Sequence, residues 1–89
     1  MLEIKDNIDL QELEKFGFEY EYEENWDGDY WEWCDLFVDN QKIIGISATY
    51  NYEVQIYNFD QYQDIILNTL FDLIQAGLIK KVVKYDNQR

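Results

Sequence analysis

From Phe18 the chain alternates ring and acid: Phe18, Tyr20 and Tyr22 interleave with Glu19, Glu21 and Glu23. A period of two is what a strand with one buried face requires, because successive side chains leave opposite faces of the pleat. This stretch is therefore a half-buried strand, aromatic on one face and acidic on the other. Asn25-Trp26-Asp27-Gly28-Asp29 follows. Asp-Gly is a strong hairpin signal, which makes Tyr30 to Val38 the returning strand. On that strand Cys34, Leu36 and Val38 share one face, and Trp31, Trp33 and Phe37 share the other. Either set is apolar enough to be the core. Helices on one side of a sheet cannot cover both, so some of these rings are expected at the surface.

The remaining elements are read around this hairpin. Asp9 followed by Glu12 is a capping-box pattern, Leu10 and Leu13 give an apolar stripe, and Gly17 supplies a left-handed stop. A short helix is predicted at about 9 to 16. Asp39-Asn40-Gln41 turns the chain again, and Ile43 to Tyr50 and Tyr52 to Tyr57 complete a four-stranded antiparallel meander broken at Asn51. A second helix carries Gln61, Asp64, Asn68, Asp72 and Gln75 on its polar stripe, opposite Tyr62, Ile66, Leu70, Leu73 and Ile74. Asp60 with Gln63 is its capping box and Gly77 its stop. Residues 79–85 can form a short C-terminal edge strand whose lysines discourage stray pairing. The expected architecture is α+β: a four-stranded antiparallel meander with two helices on one face. At 89 residues the chain is one domain, 1–89, since a second core needs more chain.

Charge divides the sequence. The chain has 19 acids, 7 bases and a net charge of −12. Residues 1–41 hold 14 acids and two bases, whereas residues 42–89 hold five of each. Nucleic-acid affinity comes from displacing counterions with Lys and Arg, so a direct DNA or RNA binder is not expected. With no apolar run of membrane-spanning length and no signal-peptide pattern at Met1-Leu2-Glu3-Ile4-Lys5-Asp6, a cytoplasmic protein is expected.

Catalysis finds little support. The sequence has no histidine, which removes the commonest general base and a common metal ligand. Cys34 is the single cysteine and its acidic neighbours raise rather than lower a thiol pKa, which makes it structural. Glu23, Asn25, Asp27 and Gly28 fall at the first, third, fifth and sixth positions of a calcium-binding loop, but the twelfth position, which needs a bidentate glutamate, is Cys34. Neither an enzyme nor a metal or cofactor site is expected.

Binding is better supported. Residues 19–35 carry Glu19, Glu21, Glu23, Glu24, Asp27, Asp29, Glu32 and Asp35 with no base among them. Alternate strand residues repeat every ~6.7 Å, so Glu19, Glu21 and Glu23 form a regular row of carboxylates that can imitate phosphates. Duplex DNA carries one charge per ~1.7 Å, so the neighbouring strand and turn must contribute too. Trp26, Trp31 and Trp33 lie among these acids and are the residue type that anchors interfaces.

The segments Asp9-Leu10-Gln11-Glu12-Leu13-Glu14-Lys15-Phe16-Gly17-Phe18 and Leu70-Phe71-Asp72-Leu73-Ile74-Gln75-Ala76-Gly77-Leu78-Ile79 resemble those of small uncharacterised proteins from phages and prophages of AT-rich bacteria. Small acidic proteins of that class include anti-restriction and anti-CRISPR inhibitors that occupy the nucleic-acid groove of their target. The resemblance implies an inhibitor acting in a host cytoplasm on a basic, nucleic-acid-binding host protein. The alternatives are a phage structural or regulatory module that forms a homodimer through an exposed sheet face, and a carbohydrate-binding module using Trp31 and Trp33 with carboxylate acceptors.

Overall fold

The structure is a computed structural model and describes residues 1–82. Its elements in chain order are β1 (Leu2–Ile4), a 3-10 helix (Leu10–Phe16), β2 (Glu19–Glu24), β3 (Tyr30–Val38), β4 (Gln41–Ser47), a 3-10 turn (Ala48–Tyr50), β5 (Val54–Ile56), α1 (Gln63–Gln75) and β6 (Ile79–Lys81). The fold is α+β. Strands β2-β3-β4-β5 form an antiparallel meander, and β1 pairs with β6 in a second, two-stranded sheet.

Turn chemistry fixes the meander. In the β2–β3 loop the Asn25 side-chain oxygen accepts from the backbone N–H of Asp27 and of Asp29, each at 3.0 Å. Gly28 there takes a left-handed φ of 84°, a conformation glycine enters without cost. The β3–β4 connection is the two residues Asp39 and Asn40, both at positive φ. That primed turn matches the twist of the strands it joins, and it sets Val38 opposite Gln41. A register shift after Leu36 leaves Ile43 as an extra residue, so that Ile43 and Ile44 are both fully buried.

Both helices stop as the glycines predict. Phe18 N–H donates to Leu13 C=O and Gly17 N–H to Glu14 C=O, and the same pair of bonds runs from Leu78 to Leu73 and from Gly77 to Ile74. This is the Schellman arrangement around a left-handed glycine. The N-termini differ from expectation. Asp9 caps the first helix by accepting from Gln11 N–H at 3.0 Å, but the helix is 3-10 throughout. The Asp60–Gln63 capping box does not form: α1 starts after Tyr62, with no side-chain cap.

Ile4, Leu10, Leu13, Phe18, Cys34, Leu36, Ile43, Ile44, Ile46, Ile66, Leu73, Leu78 and Ile79 make one core. Cys34 is completely buried, whereas Trp31 is exposed and Trp33 half-buried. The open choice of face is thus decided for Cys34, and the alternative with Trp31 and Trp33 in the core is excluded. One further reading is corrected. Ile74, expected on the buried side of α1, is 51% exposed, together with Leu67 and Phe71. The expected short C-terminal strand is present at Ile79–Lys81, where it pairs with β1. There Lys80 bridges Glu3 (3.9 Å) and Asp6 (3.6 Å); Val83, Lys84 and Tyr85 of the predicted 79–85 strand lie outside the described residues.

A candidate binding face on the open side of the sheet

Register sorts the acidic hairpin into two faces. Glu19 pairs with Asp35, Glu21 with Trp33 and Glu23 with Trp31. Cross-strand partners project to the same side, so these six side chains share the face away from the core. Ser47 lies beside Trp33, and Gly45 and Gln55 continue the Asp35 row. The other parity places Tyr20 beside Cys34, Tyr22 beside Glu32 and Glu24 beside Tyr30. Asp27, Asp29 and Trp26 belong to the turn, where Trp26 is 98% exposed.

The two faces treat their carboxylates differently. On the core side Glu32 accepts from Tyr20 Oη–H at 2.7 Å and from Tyr52 Oη–H at 3.0 Å, one phenol for each carboxylate oxygen. These bonds tie β3 to the start of β2 and to the segment before β5. Desolvation, then the bond to Glu32 and its charge, pushes the Tyr20 phenol well above its ordinary range; the same causes push Tyr52 up to about 12. Tyr22 stacks on Tyr30 with ring centroids 5.5 Å apart. On the open face Asp35 pairs with Lys42 at 3.5 Å. Glu19, Glu21 and Glu23 have no ion-pair partner among the described residues.

Of the eleven residues singled out in the sequence, six therefore converge on one surface: Glu19, Glu21, Glu23, Trp31, Trp33 and Asp35. Trp26, Asp27 and Asp29 stand at its tip, and Glu24 and Glu32 face the other way. Sequence reasoning passed over Lys42, Gly45, Gln55 and Tyr57, which line a cleft of about 310 Å³ beside Trp33 and Asp35. A glycine inside a strand was the available signal, since it marks a close approach.

Cys34 lies fully buried, which withholds its thiol from solvent in the folded chain. Burial first, then the charges of Asp35 and Glu32, pushes its thiol up to about 12. Among the described residues no three Cys, Asp or Glu side chains converge as a metal site. The Asn25 side chain, inside the partial calcium pattern, is engaged by its own turn. Also among the described residues, no helix is long and apolar enough to cross a membrane. Comparison with protein-family models, with curated proteins and with solved structures returned no match.

Proposed function

We propose that this chain is a non-enzymatic binding protein whose open sheet face docks the basic, nucleic-acid-binding surface of a host protein, in the manner of phage-type anti-restriction or anti-CRISPR inhibitors. The observation that carries this reading is the row Glu19, Glu21 and Glu23, without cationic partners among the described residues and bordered across the strand by Trp31, Trp33 and Asp35. A partly exposed tryptophan beside a carboxylate row joins two separate sources of affinity. Charge steers a basic partner and raises the association rate, while the buried ring slows dissociation. Strand geometry spaces the carboxylates by ~6.7 Å. Asp27 and Asp29 at the turn raise the charge density toward that of a nucleic-acid backbone, while the charge of Asp35 is offset by Lys42.

Retention of a basic protein from bacterial lysate on the immobilised chain at physiological salt tests the proposal. The triple replacement of Glu19, Glu21 and Glu23 by Gln is expected to abolish that retention, and undiminished retention by the triple variant refutes it. A second reading, self-association, is favoured by a different surface. Leu67, Phe71 and Ile74 form an exposed i, i+4, i+7 stripe on α1, whereas the acidic sheet face repels a copy of itself. Sedimentation at micromolar concentration decides it: a monomer removes this reading.

A further inference from the structure

The cleft on the open face already holds a cation, and that cation belongs to the chain. Lys42 Nζ lies 3.5 Å from Asp35 Oδ1 and 5.2 Å from the centroid of the Tyr57 ring. A carboxylate next to an aromatic face is the pairing that recognises positive charge. The backbone beneath is shaped for it. A Cβ on Gly45 would come within 2.9 Å of Asp35 Oδ1 and 3.3 Å of the Tyr57 ring, so only glycine lets both groups lie over the strand. The volume of about 310 Å³ sits at the bottom of the range for ligand pockets and suits one side chain.

We infer that this cleft receives an arginine of the basic partner, its guanidinium stacked against Tyr57 and forked onto Asp35, with Lys42 as the internal cation it displaces. The inference rests on the proposed docking of a basic protein and names the side chain that the docking seats. Three observations favour arginine. The Asp35 side chain is only 15% exposed, so a charge-assisted bond there is weakly screened. Lys42 is held only by a long ion pair and a distant ring contact, and its side chain is 41% exposed, so solvent can take its place there. An incoming lysine would exchange one ammonium for another and gain nothing over the resident one. A planar guanidinium adds a second hydrogen bond and a stacking face.

Acetylated hexa-arginine and hexa-lysine peptides, titrated into the full chain at physiological salt, test this through the Trp33 indole and Gln55 amide resonances. Hexa-arginine is expected to bind about two- to fivefold more tightly, the scale of one exposed cation–π contact, and to shift both resonances. Asp35→Asn should erase that preference, and Lys42→Met should tighten hexa-arginine binding by a similar factor. Equal affinity for the two peptides, or a preference that survives Asp35→Asn, overturns the arginine site and leaves the acidic docking face standing. Binding of neither peptide overturns both. Should Asp35→Asn fail to fold, the absence of a gain in Lys42→Met overturns the arginine site on its own.

Discussion

Removing either phenol that serves Glu32 should destabilise the protein without touching the open face. A hydrogen bond to a charged acceptor contributes about 1.5–3 kcal/mol. Tyr20 and Tyr52 are only half-buried, and a cavity of about 340 Å³ opens beside Glu32 and Tyr52, so water can replace part of each bond. Solvent access brings the losses to that lower end or below it: about 1.5 kcal/mol for Tyr20→Phe, whose bond is the shorter, and about 1 kcal/mol for Tyr52→Phe. For a domain of this size 1 kcal/mol moves the melting point by about 4–8 °C. The two losses should not add, because they share one acceptor. With both phenols gone Glu32 keeps neither donor, and the double variant should lose more than the two single variants together. Urea unfolding followed by tryptophan fluorescence provides the measurement, with an unchanged m value showing that compactness is preserved. If both single variants stay within ~0.5 kcal/mol of the parent, the ordinary range for surface changes, Glu32 is not the structural hub described here.

Three further outcomes follow from the same geometry. The Tyr20 and Tyr52 phenols are raised in the folded state, so their stabilisation is complete below the unfolded value of 10 and is lost as pH climbs through the folded values, about 12 for Tyr52; stability should therefore fall above pH 10, and less steeply in Tyr52→Phe, which has no phenol to ionise. Cys34 should resist a disulfide reagent in native buffer and react at the rate of global unfolding as urea is added; rapid native labelling would contradict its burial. Trp26 and Trp31 are exposed among acids, so caesium should quench their fluorescence more than iodide does, and replacing Glu19, Glu21 and Glu23 by Gln should narrow that difference.

How much of this was legible beforehand depended on whether the cause was local. The β2–β3 hairpin was readable because half-burial imprints a period of two on the sequence, and both helix stops because a left-handed glycine is a local requirement. The 3-10 form of Leu10–Phe16 was not, since α and 3-10 turns share the same caps. Strand β1 has three residues and no usable period; it exists because β6, at the far end of the chain, pairs with it. The choice between Cys34 and Trp33 for the core was open because both alternate sets are apolar. Once Cys34 is placed inside, parity alone sends Glu32 inward with it, and that arithmetic separates the structural glutamate from the row on the open face. The cleft at Gly45 depends on Tyr57 reaching back over β4; the glycine marks a close approach, but no pattern says which side chain makes it.

On the proposed reading facing decides role: the outward carboxylates dock a basic partner and the inward one holds the fold. Competition against nucleic acid on the captured partner tests this most directly. Fluorescence anisotropy of a labelled duplex bound to that partner should fall as the chain is added. Glu32→Gln should compete as the parent does, while the Glu19, Glu21 and Glu23 triple Gln variant should not compete. Competition that persists in the triple variant, or is lost in a folded Glu32→Gln protein, would contradict the account.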